Sequence, residues 1–328
     1  TAALHIACVA GGLTQDDEVI VSPMTFIASA NCVIYSGGRP VFVDTEESTG
    51  NINPAGIEEK ITKRTKAIIP VHFSGHPCDL KRIYCIARKY GLIVIEDAAH
   101  ALGARYRGSK IGACKYSDMT IFSFHPVKSI TTAEGGAVLT NKKCLYKKLV
   151  MLRNHGIANN NFIHRPDGDW YYEMQLLGYN FRMTDVQAAL GKSQLKKLDR
   201  FIEKRRKIAK MYDKFFKNNP YFELPIEKEY VYSAYHLYPI RIKEPYKKKK
   251  KEIFSKLRKK KIGVQVHYIP VYLHPYYRTI GFKNKQCPEA EAFYKKEISI
   301  PLYPGMRDKA VHYVIDTVLN VFKNTRNG

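Results

Sequence analysis

Two short segments carry residue types that can do covalent chemistry together. The first is Ser123-Phe124-His125-Pro126-Val127-Lys128. It follows an apolar strand-like stretch, Met119 to Phe124, and leads into Glu134-Gly135-Gly136 and a second such stretch, Ala137 to Thr140. A lysine held at such a turn can form a Schiff base with an aldehyde, because its stem is long and its amine loses charge when partly desolvated. Taken alone, Lys128 reads as a solvated loop residue, since lysine is normally exposed. The second segment is Glu96-Asp97-Ala98-Ala99-His100-Ala101, after the strand-like Leu92 to Ile95. Taken alone, Asp97 reads as a strand-end residue capping a turn. Together the two segments have a more specific meaning. Pyridoxal phosphate needs an amine for its aldehyde and a carboxylate against its pyridine nitrogen, so that the ring stays protonated and works as an electron sink. It also needs a phosphate cradle, often a helix N-terminus. Thr1-Ala2-Ala3 begins a helix, and Ser123 offers a hydroxyl.

The elements that must position these residues alternate. Glu18 to Ser22, Pro40 to Asp44, Ala67 to Val71 and Leu92 to Glu96 read as strands. Phe26 to Tyr35, Pro54 to Ile61 and Leu80 to Tyr90 read as the intervening helices, and Ala2 to Ala10 as another. Continuous apolar strands separated by helices predict an α/β fold whose central sheet is mainly parallel and covered on both faces. Such sheets place ligands at the carboxyl ends of their strands, where Asp44, Asp97 and Ser123 fall. Met183 to about Asn218 reads as a long helical stretch connecting two domains. Beyond Pro220 and Pro225, strands at Tyr238 to Ile242, Gly263 to His267 and Ile298 to Ile300 mix with helices at Lys248 to Lys261 and Asp308 to Phe322. The expected division is a large domain over 1–195, a connecting helix over 196–218 and a small α+β domain over 219–328.

The chain has 328 residues, 45% hydrophobic and 26% charged, the composition of an ordinary globular protein with a sizeable core. No apolar run approaches the ~18 residues needed to span a bilayer. Seven cysteines stand apart with no C-x-x-C pair, which disfavours a zinc site or a disulfide framework and fits a reducing cytoplasm. The net charge is +24, and most of it lies in residues 151–328, with lysine runs at Lys247 to Lys251 and Lys259 to Lys261. These runs read either as a nucleic-acid or anionic-surface patch or as a solvated helix face with some field left over for an anionic substrate. The second reading is preferred because the runs lack interleaved aromatics and match no nucleic-acid motif. Neither nucleic acid nor membrane is therefore expected as a partner.

Further segments recur in a recognisable order. They are Thr1-Ala2-Ala3-Leu4-His5, Pro23-Met24-Thr25-Phe26, Pro70-Val71-His72-Phe73-Ser74-Gly75, Leu152-Arg153-Asn154-His155-Gly156 and Gly178-Tyr179-Asn180-Phe181-Arg182-Met183-Thr184-Asp185. With the Asp97 and Lys128 segments they resemble the DegT/DnrJ/EryC1/StrS family of nucleotide-sugar aminotransferases, over nearly the whole chain. The resemblance implies the fold type I architecture of pyridoxal-phosphate-dependent transferases and a homodimer with shared sites. Trp170-Tyr171-Tyr172-Glu173, with His125-Pro126-Val127-Lys128, most resembles members that aminate C4 of a UDP-linked 4-keto-6-deoxy-N-acetylhexosamine, with glutamate as donor and 2-oxoglutarate as product. By the same resemblance, Lys128 carries the cofactor and shuttles the proton, Asp97 faces the pyridine nitrogen, and His100 lies near the ring hydroxyl. Phe26 stacks on the ring, unless it is a core phenylalanine. Thr1, Ala2 and Ser123 hold the phosphate, Asn180 reaches the partner subunit's cofactor, and Arg182 takes the donor's carboxylate. His267 and Tyr268, in Gln265-Val266-His267-Tyr268-Ile269-Pro270, match a segment near the substrate.

The chain departs from the family in two places. Tyr272 stands where many relatives have His, which bears on substrate contacts. The family also has a further small unit ahead of Thr1, so an N-terminal truncation is expected. Among rival chemistries, members with His in place of the lysine dehydrate sugars, and Lys128 argues against that. Gly103-Ala104-Arg105-Tyr106-Arg107-Gly108-Ser109-Lys110 has its last two residues in the wrong order for a phosphate-binding P-loop and reads as a turn between strands. No G-x-G-x-x-G stands at a strand end, which disfavours a dinucleotide. On charge alone, a basic nucleic-acid-binding protein remains the alternative from another class.

Overall fold

The computed structural model describes residues 1–326. Strands β1 (Glu18–Val21), β2 (Arg39–Phe42), β3 (Thr65–Ile69) and β4 (Ile93–Asp97) pair in parallel. Next comes a hairpin of β5 (Arg105–Tyr106) and β6 (Ser109–Lys110). Its two central residues, Arg107 and Gly108, both have positive φ, at 48° and 79°. That is the tight turn expected of a two-residue hairpin, not a phosphate cradle. Strand β7 (Met119–Ser123) joins β4 in parallel, and β8 (Gly136–Leu139) closes the edge antiparallel, giving the order β2-β1-β3-β4-β7-β8.

Helix α1 (Ala2–Ala10) and α2 (Ala28–Tyr35) lie on one sheet face, α3 (Leu80–Lys89) on the other, and α4 (Lys143–Arg153) beside α1. The strand pleat explains the division. Val19, Val21, Ala67 and Ile69 pack towards α1 and α2, whereas Ile20, Ile68 and Val94 pack towards α3. Both sets are buried, so the strands are apolar throughout rather than alternating.

Three expected elements take a different form. Residues 54–61 make two short 3-10 turns, Pro54–Gly56 and Glu58–Lys60, rather than a helix. Gly56 interrupts a segment too short to propagate helix once nucleated. The long stretch after Met183 is two helices, α5 (Asp185–Leu195) and α6 (Leu198–Phe216). Thr184 and Gln187 form a reciprocal capping box at the start of α5. Helix α5 buries no residue, while α6 buries Ile202, Ile208, Ala209, Tyr212 and Phe216, so the two halves serve different surfaces. Finally, 263–267 is not a strand. Only Gln265 pairs, with Ser299, as an isolated bridge. The next two amides are taken by side chains: Val266 N–H by Gln265 Oε1 and His267 N–H by Glu297 Oε2. The backbone therefore peels away from the sheet.

A second core gathers α6, the antiparallel strands Phe222–Glu223, Tyr238–Ile242 and Glu297–Ile300, the C-terminal helix from Asp308, and α7 (Lys250–Lys259). Helix α7 turns Ile253 and Leu257 inward, and most lysines of the two runs lie outside, as an amphipathic surface helix does. Val271, Tyr272, Tyr277 and Phe293 pack with Met24, Phe42 and Phe73 beside the large sheet. This contact brings the 267–268 segment against the strand ends. No helix among the described residues is long and apolar enough to cross a membrane.

Candidate active site

A cavity of about 1050 Å³ opens at the carboxyl ends of β4 and β7. The start of α1, one side of α4, and the loops at residues 25–29, 123–128, 134–136 and 181–183 wall it, with His267 and Tyr268 opposite. Ten of the expected site residues line it: Thr1, Ala2, Phe26, Asp97, His100, Ser123, Lys128, Arg182, His267 and Tyr268. Asn180 does not. It is exposed and bridges Asn154. Arg182 donates to Asn154 Oδ1 at 2.5 Å.

Lys128 sits in the turn after β7, its N–H bonded to His125 O. Burial holds its ammonium below the usual lysine range, and the Asp97 charge partly offsets this. Asp97 ends β4 and is buried. Its Oδ1 accepts from Ala99 N–H at 3.1 Å, and its Oδ2 from the Ser29 hydroxyl at 2.6 Å. Ser29 stands 2.6 Å from Thr25 Oγ1. Since the Ser29 proton goes to the carboxylate, Thr25 is the donor in that contact. Sequence reading missed Ser29 because nothing local links it to a residue so far along the chain.

His100 is buried, with Nε2 3.2 Å from the Tyr268 hydroxyl and Nδ1 without a partner. His236, also missed, packs against it with ring centroids 4.3 Å apart and the rings tilted by 33°. Behind them, buried Arg205 donates to the carbonyls of Tyr235, His236 and Leu302. Burial, more than the nearby Lys128 charge, keeps both imidazoles neutral. Burial likewise raises the Tyr268 hydroxyl, which stays protonated.

Phe26 is 60% exposed at the cavity wall, which removes the core-phenylalanine alternative. Thr1 precedes α1 and makes no side-chain capping bond, so the first N–H groups of that helix are open to a ligand. Tyr272 is fully buried and donates to Glu291 Oε1 at 2.8 Å, so it is a core residue and not part of the cavity. Asp44 instead accepts from the N–H groups of Glu289 and Ala290 at the start of a helix.

These residues fit pyridoxal phosphate. A partly desolvated lysine amine and a hydrogen-bonded carboxylate share the cavity with an open helix N-terminus, an orphaned imidazole nitrogen and an exposed aromatic face.

The neutral imidazoles have a consequence for stability. His5, His76, His100, His236 and His267 are all held below the ordinary histidine value, chiefly by burial, His76 and His267 at about 4. Each therefore binds a proton more readily unfolded than folded. The histidine contribution to stability is expected to be flat above about pH 7 and to fall as pH drops from about 6.5 towards 4. The Glu297 and Asp213 carboxyls, raised by burial, oppose this, but as two groups against five. Thermal melts at about pH 7.5 and about pH 5 check the expectation, and equal midpoints would contradict it.

The DegT/DnrJ/EryC1/StrS aminotransferase family pattern matches residues 1–319. The chain is 41% identical over 331 residues to a Campylobacter jejuni UDP-4-amino-4,6-dideoxy-N-acetyl-beta-L-altrosamine transaminase, covering 100% of this chain and 85% of that one. It superposes with TM-score 0.90 on Helicobacter pylori PseC, an aminotransferase involved in the biosynthesis of pseudoaminic acid, at 35% identity, covering 99% of this chain and 85% of that one. A sugar aminotransferase of Streptococcus pneumoniae, described as putative and solved in its PMP-form, superposes at 0.91 with 32% identity, covering 98% and 86%. Pyridoxal phosphate is the cofactor expected for such a fold. With Lys128 and Asp97 facing one cavity, the chain belongs to the DegT/DnrJ/EryC1/StrS family and is a nucleotide-sugar aminotransferase.

Proposed function

We propose that the enzyme transfers an amino group from glutamate to C4 of a UDP-linked 4-keto-6-deoxy-N-acetylhexosamine, in the formation of pseudaminic acid or a related surface sugar. The observation that carries the chemistry is a partly desolvated lysine amine sharing one cavity with the Asp97 carboxylate. The activity for which the Campylobacter and Helicobacter relatives are named supports the substrate class.

Pyridoxal phosphate, when bound, supplies an aldehyde and an electron-withdrawing ring. Lys128 would hold that aldehyde at rest. Its Nζ, when free, would take the proton from the donor's α-carbon in the first half-reaction and deliver a proton to C4 of the sugar in the second. Asp97, anchored by Ser29 and Ala99, keeps positive charge on the ring nitrogen. Phe26 covers the ring face. Thr1, Ala2 and Ser123 hold the phosphate. His100 lies by the ring hydroxyl, and Arg182 meets the donor carboxylate in a bidentate contact. The many cationic side chains of the second half draw in the diphosphate.

A homodimer completes this reading. Trp170, Leu177, Val186 and Leu195 are more than half exposed, and α5 buries nothing. A second copy covering them would place its Asn180 at the neighbouring cofactor. Seven free thiols suit a cytoplasmic location.

The test is transfer of label from ¹⁵N-glutamate, with pyridoxal phosphate, to the UDP-4-keto sugar, followed by mass spectrometry. Labelled amino sugar with 2-oxoglutarate formed in step is the expected result. Label retained in glutamate with the UDP-4-keto sugar, but transferred when another nucleotide-linked keto sugar replaces it, would overturn the sugar assignment.

A further inference from the structure

His267 reaches the cavity through a chain of hydrogen bonds whose proton directions can be counted. Its N–H donates to Glu297 Oε2 at 2.8 Å, and the Ser299 hydroxyl donates to Glu297 Oε1 at 2.5 Å. Both carboxyl oxygens are acceptors when the carboxyl is ionised, above about pH 8. Glu297 is fully buried, and burial raises its carboxyl. The Ser299 and His267 donors pull it back, as does the ammonium of Lys250. Lys250, in the lysine run, turns inward and donates to Tyr294 O.

Ser299 has one proton, and it is spent on Glu297. Its Oγ lies 2.9 Å from His267 Nδ1 and can only accept there. The ring therefore carries its proton on Nδ1. Its Nε2 bonds to no protein atom among the described residues, and His267 lines the cavity.

We propose that Glu297, acting through Ser299, fixes His267 as the Nδ1–H tautomer, so that Nε2 is a hydrogen-bond acceptor for a hydroxyl or ammonium group of the substrate. Glu297 and Ser299 are positioning residues. The substrate half of this statement rests on the aminotransferase reading above, whereas the tautomer does not.

Glu297→Gln separates the possibilities. The amide must keep its oxygen towards His267 N–H, which leaves its NH₂ facing Ser299 Oγ. Ser299 then donates to Nδ1, and the imidazole proton moves to Nε2. Side-chain ¹⁵N NMR of histidine-labelled protein without cofactor or substrate reads this directly, with the signals assigned by His267→Gln. Above about pH 8, where Glu297 is ionised, the expected result is Nδ1–H in the unsubstituted protein, Nε2–H in Glu297→Gln, and a mixture in Ser299→Ala, which removes the intermediary and is the variant to rely on should Glu297→Gln fail to fold. In turnover, Glu297→Gln is expected to raise the sugar KM about tenfold while kcat falls less, because a donor would face a donor. Nε2–H in the unsubstituted protein, or pure Nδ1–H persisting in folded Ser299→Ala or Glu297→Gln, overturns the positioning role. The expected tautomers with an unchanged sugar KM overturn the acceptor role. Absence of amino transfer in the unsubstituted enzyme is a failure of the function assigned above, and the NMR result still decides the positioning.

Discussion

Lys128→Ala is expected to abolish amino transfer, by on the order of 10⁴-fold or more, because one side chain supplies both the covalent anchor and the moving proton. No neighbour can take over. His100, His236 and His267 are held neutral, but none has a flexible stem that could swing from the cofactor's carbon to the substrate's. The fold should tolerate the change, since Lys128 lies in a turn and makes no side-chain hydrogen bond among the described residues. Cofactor should still bind weakly through the start of α1 and Ser123. Two measurements separate a lost lysine from a lost fold. The absorbance of the covalent link with pyridoxal phosphate should vanish, while the thermal midpoint stays close to that of the unsubstituted protein. Turnover by the variant without added amine would sink the role given to Lys128.

Asp97→Asn should be the second most damaging change, lowering kcat by about 10²–10³-fold. The substitution keeps the shape and removes the charge. Its Oδ1 can still accept from Ala99 N–H, and its amide can donate to Ser29, whose hydroxyl then turns elsewhere. A neutral amide cannot hold a proton on the ring nitrogen, so the ring loses most of its power to withdraw electrons. The loss should fall on kcat in both half-reactions, because each passes through the same ring. Stopped-flow measurement of each half-reaction checks this. Retention of kcat within about tenfold would show that the carboxylate does not serve the ring.

Much of this site is readable along the chain because its geometry is local. Asp97 and Ser123 end strands that are continuous in apolar residues, and in a mainly parallel sheet those ends converge on one edge. The turn at Arg107-Gly108 is readable for the same reason. The failures have their own physical causes. The run from Met183 to Asn218 has helical composition throughout, but α5 buries no residue while α6 buries one side, and burial is a property of the neighbour. The segment 263–267 has strand composition, yet Glu297 and Gln265 side chains capture the amides that a strand would have used.

The sequence by itself determined the chemistry: an amine at the end of one strand, a carboxylate at the end of another, and an order of motifs that identifies the family. Tertiary structure decided the partners that tune them. Ser29 meets Asp97, His236 and Arg205 stand behind His100, and Glu297 and Ser299 set the proton on His267. It also removed Tyr272 from the substrate side by burying it among Phe42, Phe73 and Phe293. The physical reason is the same in each case. A buried polar group must find a hydrogen-bonding partner, and which partner it finds depends on which surfaces meet when two cores pack together.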